Sequence, residues 1–419
     1  MSSTTGPVIL RRAGGGERLF VVLVLLLSLG TFANLMVTGP IRTQNMGMLG
    51  MQILWSLIYL IVLAFYFRHC SSPWRELTRL WPFLILLVFV FLSALWSQDP
   101  LLTLRRATAL FLTFVFGSYF SSRFELKEQF RLLGWAFAIC IVFSFVFELF
   151  GLNPSQEIPG WYGVFYHKTE LGRNFVLGAL LYLYWRRVDP KHKAVAAVGF
   201  LASVLLVLLS RDVTSLVTLV LLLMAEPYLS RVSRWSAARA VIGIVVLLVV
   251  GTGLLFFVLG HLENVTRFLG KDPMLTGRVP VWILATVMAM RRPWCGYGFD
   301  AFWLPDNTYV QRIWLLVRWK PPHAHNGLLE LWLEIGLIGV ALFVLMFSYY
   351  WGGAIRLMRR DQKASAAWPF VFLTFFLLTN ITESFFIAAN SIYFVLFVTS
   401  AFMCRKGRLA ESLGRAPYA

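Results

Sequence analysis

Apolar runs long enough to cross a lipid bilayer recur from one end of this chain to the other, and no other feature narrows its possible folds as much. A helix crossing the hydrocarbon layer needs about 17–25 residues. Twelve such runs are read at 19–37, 49–67, 80–96, 104–120, 131–150, 170–186, 194–210, 212–229, 238–260, 326–351, 366–380 and 384–404. They are continuous rather than alternating, which favours helices over a barrel, and a spanning helix satisfies its own backbone hydrogen bonds. With 58% hydrophobic and only 14% charged residues, a water-soluble globule of this sequence would leave apolar surface uncovered. The expectation is an all-α integral membrane protein of about twelve transmembrane helices. The first run follows Arg11, Arg12 and Arg18, but it is long and lacks a small-x-small cleavage site, so it is read as a span rather than a secretory signal.

A formal charge of +18 invites a nucleic-acid reading until the basic residues are located. With the N-terminus placed in the cytoplasm, 24 of the 38 fall in the two ends and the inside loops, among them "RHCSSPWRELTR", "RRVDPKHK" and "RLMRRDQK". The opposite face holds 14, eight of them in one long loop. The positive-inside rule governs short loops, so the basicity is mostly topology, with both termini cytoplasmic and nucleic acid excluded as a partner. Arg105, Arg106, Lys168, Arg173 and Arg211 then stand in short outer connections where basic residues are disfavoured. Five together point to an anionic ligand, although each alone could snorkel to lipid phosphates. Cys70, Cys140, Cys295 and Cys404 have no CxxC spacing and imply neither a zinc site nor a disulfide framework.

The sequence divides into spans one to nine (1–260), a loop of short amphipathic helices lying as a lid (261–325), and spans ten to twelve with a tail (326–419). Pro273, Pro280, Pro293, Pro305, Pro321 and Pro322 cut the lid into short pieces, and its many aromatic residues suit a compact unit on the membrane. The order "FYHKTELG" (165–172), "LLSRDVTSL" (208–216), "LTGRVPVW" (275–282), "RPWCGYGFDAF" (292–302) and "HAHNGLLELWLEIGLIG" (323–339), preceded by "LWSQDP", resembles the O-antigen ligase and O-antigen polymerase superfamily. The resemblance covers roughly residues 96–340 and rests on the joint order of short motifs.

What the resemblance implies is a polytopic, GT-C-like glycosyltransferase of the bacterial inner membrane with a periplasmic active site. Within the superfamily the chain is more similar to the ligases, which move a finished polysaccharide from undecaprenyl pyrophosphate to a hydroxyl of the lipid A-core oligosaccharide. A polymerase, or a transferase with a protein hydroxyl as acceptor, would use the same donor. A transporter is the alternative of another class, suggested by twelve spans alone. Arg211 and Arg278 match the family's two key arginines, and Lys168 its lysine before a helix. These are the candidates for holding the donor pyrophosphate, and an arginine fork suits two phosphate oxygens better than an ammonium does. The alternatives for them are a pair between Arg211 and Asp212, a lipid-facing Arg278 and an interfacial Lys168.

His325, immediately before Asn326, matches the family's histidine and is the candidate general base for the acceptor hydroxyl, a role worth about 10²- to 10⁴-fold. Its alternative is a helix cap. His323, Asn326, Glu330, Arg105, Arg106 and Glu383 are candidates for supporting that site or receiving the acceptor. A helix beginning near Asn326 places Asn326, Glu330 and Glu334 on one face, with Glu334 about 13 Å deeper than His325. No DxD, HExxH or tight carboxylate cluster occurs on the outer face, and the resemblance implies a metal-independent, inverting displacement without a cofactor. "GYGFD" is read as a turn.

Overall fold

The computed structural model describes residues 13–31, 41–70, 72–152, 159–229, 278–361 and 364–412, together with Gly243, Val246 and Gly253. All regular elements among them are helices: α1 (Gly15–Ser28), α2 (Ile41–His69), α3 (Pro73–Arg79), α4 (Trp81–Leu92), α5 (Pro100–Arg123), α6 (Leu126–Leu149) and α7 (Lys168–Val188). They continue with α8 (Lys193–Ser210), α9 (Val213–Leu229), α10 (Arg278–Arg291), α11 (Thr308–Val317), α12 (Gly327–Arg360), α13 (Ala364–Thr379) and α14 (Ile392–Ser412). Among the described residues five helices are long and apolar enough to cross a membrane, or six if α3 and α4, bent by 88° at their junction, form one span. This is the architecture of a multi-pass helical membrane protein. The ninth expected span, apart from Gly243, Val246 and Gly253, and the lid up to residue 277 lie outside the described residues.

Helix α7 runs through the middle of the bundle, with Phe175, Val176, Leu177, Leu180, Leu181, Tyr184 and Trp185 fully buried. Close approach to it needs small partners. A methyl group on Gly134 would meet the Trp185 ring at 2.2 Å, and one on Gly199 would meet the Tyr182 ring at 2.5 Å. That is how membrane helices pack when lipid offers no hydrophobic drive between them. The outer helices show the opposite face. Val195, Val198, Leu201, Leu205 and Leu208 of α8 repeat at helical spacing and are exposed, as are Leu49, Ile53, Leu57 and Leu60 of α2. Stripes of this kind suit acyl chains and would be unfavourable in water.

Several helix bounds differ from the apolar runs. α1 spans Gly15–Ser28 rather than 19–37. α12 continues past 351 to Arg360, because Arg356, Arg359 and Arg360 extend its last turns as a polar end. The last helix starts at Ile392, not 384, and residues 384–391 form a non-helical connection instead. Hydropathy could not reveal this, since Phe385, Phe386 and Ile387 are apolar and buried whichever way the backbone runs.

The lid residues 278–325 carry a small apolar core of their own, in which Ala285, Ala289, Tyr297, Phe302, Val310 and Ile313 pack with Leu333 of α12. Two cation–π contacts close it, Arg291 over Tyr309 and Arg292 over Tyr297. The "GYGFD" stretch is more than a turn. α12 is broken at Gly336 (φ 69°, ψ −176°), and the chain from Pro293 to Gly298 docks into the break. Tyr297 N donates to Leu333 O (2.8 Å), Gly298 N to Glu334 O (2.9 Å) and Leu337 N to Pro293 O (2.8 Å). The helix loses its own bonds there and recovers them from the lid, which is how interrupted backbone survives at membrane depth. "LWSQDP" clamps the other edge: Trp96 Nε1 donates to Cys295 O (2.8 Å) and Gln98 N to Tyr297 O (3.1 Å). Asp99 caps α5 through Leu102 N at 3.0 Å.

Candidate active site

Asn326 caps α12 by its side-chain oxygen accepting from Leu329 N at 3.0 Å, and its backbone N–H donates to Ser384 Oγ at 2.9 Å. Gly327 N donates to Asn380 O at 2.8 Å. These bonds tie the start of α12 to the 380–391 connection and so bring His325 to Glu383. His325 sits in the left-handed region (φ 51°), and its backbone N–H donates to His323 Nδ1 at 3.1 Å, which holds the two imidazoles 4.0 Å apart between centroids and tilted by 51°. The helix cap is thus Asn326, and His325 is left free to face the site. Glu330 Oε2 accepts from Ala324 N at 2.5 Å, so this acid holds the turn between the histidines through its backbone rather than touching His325 itself.

Glu383 is the junction of the site. Arg173 Nη1 reaches its Oε2 and Arg278 Nη2 its Oε1, both at 3.1 Å, while His325 Nδ1 lies 3.9 Å away. Arg173 also lies over the Phe385 ring at 4.9 Å. Burial alone would push the Glu383 carboxyl up, but the Arg173 and Arg278 guanidiniums overcome this and hold it at about 2. The histidines move the other way. Burial, with His323 beside it and the two arginines near, takes His325 down to about 3, and burial takes His323 to about 4. At neutral pH the cluster therefore holds two guanidiniums, one carboxylate and two neutral imidazoles, a net positive site with proton acceptors in it. Neither His325 ring nitrogen has a hydrogen-bond partner.

These shifts have a sign. The histidines bind protons less readily folded than unfolded, so stability is lost as pH falls below about 6.5, by on the order of 2 kcal/mol per imidazole at pH 5. Glu383 contributes in the same direction, its stabilisation being lost as pH falls from 4.5 toward 2. The thermal midpoint in detergent should drop between pH 7 and pH 5, and His323→Gln with His325→Gln should flatten that dependence.

The other expected residues divide into two groups. Lys168 is buried and donates to Pro159 O at 3.0 Å. Arg211 caps α8 in the left-handed region (φ 52°) and is exposed. The pair with Asp212 does not form: Asp212 instead accepts from Ser215 N at 3.0 Å, and Arg211 has no side-chain partner among the described residues. The segment from Pro159 joins the two cations, since Gly160 packs against Ser210 O and the Lys168 stem. His167, in the next position, feels the charges of Asp212, Glu383, Lys168 and Arg278 together. Lys168 and Arg211 are thus brought together through the 159–160 segment at the adjoining ends of α7 and α8.

Arg105 and Arg106 lie on the other side, in a cavity of about 1030 Å³ bounded by α2, α5, the lid, the start of α12 and residues 384–390. Glu330, Glu334 and His323 also line it, whereas Arg211, Arg278, His325, Lys168 and Glu383 do not. His323 therefore stands between the cavity and the Glu383 junction. Arg173 is the residue that the sequence marks only within a group of five basic residues, without assigning it to the site. Its only signal was a basic residue on the disfavoured face, and its partner is 210 positions away.

His323, His325 and Glu383 bring one ligand atom each within 4.8 Å of one another. A divalent cation fits this set poorly, because both Glu383 oxygens are engaged by guanidiniums whose charge opposes it.

A family model described as O-antigen ligase matches residues 198–344, which include Arg211, Arg278, the lid and His325. The chain is 26% identical over 295 residues to the exopolysaccharide production protein ExoQ of Rhizobium meliloti (strain 1021), a match covering 66% of this chain and 65% of that relative, a little under two thirds of its length. It is also 29% identical over 87 residues, 20% of this chain and 22% of the relative, to a Rickettsia prowazekii protein named as a candidate polysaccharide ligase. Over the matched segment, which covers α9, the described part of the lid and the first half of α12, the chain is similar to O-antigen ligases.

Proposed function

We propose that this protein is a polysaccharide ligase that transfers O-antigen polysaccharide from undecaprenyl pyrophosphate to a hydroxyl of lipid A-core oligosaccharide. The observation that carries the reading is the convergence of Arg173, Arg278 and the two neutral histidines on one carboxylate, beside a cavity large enough for saccharide units. The reaction is an inverting displacement. The acceptor oxygen bonds to the anomeric carbon, the carbon–phosphate oxygen bond breaks, and its electron pair leaves on undecaprenyl pyrophosphate. Arg278, Arg211 and Lys168 receive that negative charge, and the hydroxyl proton passes to His325. Fixed cations at a developing charge act in the transition state, where binding accelerates reaction. No metal is required, because guanidiniums take that role.

In this reading the chain has twelve spans in the bacterial inner membrane, both termini in the cytoplasm, and the 261–325 lid and the site on the periplasmic face. A second reading has one specific support: the longest of the matches described is to an exopolysaccharide production protein. In that case the same donor chemistry would serve chain extension or export of another polysaccharide rather than capping of lipid A-core.

The test is transfer in proteoliposomes with a synthetic undecaprenyl-pyrophosphate donor and defined lipid A-core, with and without chelator. Product is expected in both conditions and is expected to be lost in Arg211→Ala, Arg278→Ala and His325→Ala. Product only in the presence of a divalent cation would overturn the metal-free mechanism. Transfer to a second lipid-linked chain in place of lipid A-core would establish a polymerase.

A further inference from the structure

The cavity bounded by α2 and α5 has a composition that the donor chemistry leaves unexplained. One wall is apolar and comes from α2, with Trp55, Leu60 and Leu63. Leu60 belongs at once to this wall and to the exposed stripe of α2, so the cavity lining is continuous with the lipid-facing surface. The opposite wall is polar, with Glu330 and Glu334 of α12 and Asp300 and His323 of the lid. Carboxylates beside a tryptophan are the groups that meet a sugar ring, by hydrogen bonds to its hydroxyls and by contact with its apolar face.

The two arginines at this site differ in what they already hold. Arg106 is engaged by Asp300, with its Nη1 3.0 Å from Oδ1. Arg105 is exposed, lines the same cavity, and has no hydrogen-bond or ion-pair partner among the described residues. A cation without a partner, between an apolar wall and a polar one, matches a ligand with an acyl portion, sugar hydroxyls and an anionic group.

Resting on the ligase reading, we propose that this cavity binds the acceptor as a lipid-anchored, phosphate-bearing saccharide. Arg105 receives the phosphate, Trp55 packs on a sugar ring, and the acyl portion lies along α2. The acceptor hydroxyl then reaches His323 and His325 from the α2 side. The donor diphosphate lies on the side of Arg278, Arg211 and Lys168, with Phe385 and His323 between the two. Opposite approach is what an in-line displacement needs.

Binding of fluorescent lipid A-core to the purified full-length protein in nanodiscs tests this without any turnover. Arg105→Ala, a change at an exposed side chain, is expected to weaken binding roughly tenfold or more, the loss typical of one charged hydrogen-bonding group. Phosphatase-treated lipid A-core should bind wild type as weakly as the intact acceptor binds the variant, and deacylated core should also bind weakly. Trp55→Ala should lower acceptor affinity too, while binding of undecaprenyl pyrophosphate stays unchanged in both variants. Wild-type affinity in both variants would refute the proposal, and so would equal competition by phospholipid carrying no saccharide. Acceptor binding that depends on Arg105 in a protein that forms no transfer product would instead sink the ligase reading and leave the cavity assignment standing.

Discussion

Glu383→Gln is expected to cost this protein both stability and turnover. The carboxylate is shared by Arg173 and Arg278 at 3.1 Å each, and all three side chains are largely buried. Glutamine keeps the shape and removes the charge, so two guanidiniums remain in a poorly solvated site with an amide that can accept from only one of them. Breaking a buried pair by removing one partner typically costs about 3–5 kcal/mol, because the remaining charge is uncompensated. The same change frees Arg278 and His325 from a common anchor, and loss of a preorganised electrostatic contact commonly lowers turnover about 10²- to 10³-fold. Thermal unfolding in detergent and the proteoliposome transfer rate measure the two effects. A variant with an unaltered midpoint and near-normal turnover would show that the junction does not organise the site.

Gly336→Ala should be more damaging still, and it touches no charged group. Gly336 has φ 69° and ψ −176°, a conformation essentially restricted to glycine. A methyl group there would stand 2.1 Å from Trp294 O and 2.3 Å from Cys295 N, both backbone atoms of the docked lid segment. No rotamer change can relieve that clash. The strained backbone alone costs about 1–3 kcal/mol, and expelling the lid would also break the bonds from Tyr297, Gly298 and Leu337 across the helix break. The expected result is little monodisperse protein and rapid proteolysis between residues 291 and 325. Normal yield with a protease-resistant lid would disprove the docked arrangement. Gly352, in the same helix, without a positive φ and with no atom nearer than 3.7 Å to an added methyl group, is the control position.

Some of this architecture was legible because the relevant physics is local. A span is a length of apolar residues set by bilayer thickness, so a helix beginning near Asn326 could be placed from its apolar run, although the cap is Asn326 rather than His325. Glu330 and Glu334 could be put on one face by their spacing, and both do line one cavity. The start of α14 could not be placed, because hydropathy does not distinguish a buried apolar connection from a buried helix. Glu383 could be named only as one candidate among several, and Arg173 only as one of five basic residues pointing to an anion, because the sequence near each says nothing of the other.

Sequence alone was enough for the solvent, the helical class and the short motifs around Arg211, Arg278 and His325. Only the folded chain decided which charges meet, since Glu383 is 105 positions from Arg278 and 210 from Arg173. It also decided that Arg211 has no side-chain partner among the described residues, that Arg105 faces a cavity, and that the lid completes a broken helix. Ion pairing at a membrane surface depends on which helix ends are neighbours, and that is settled by packing of small residues against large ones deep in the bundle, far along the chain from the charges themselves.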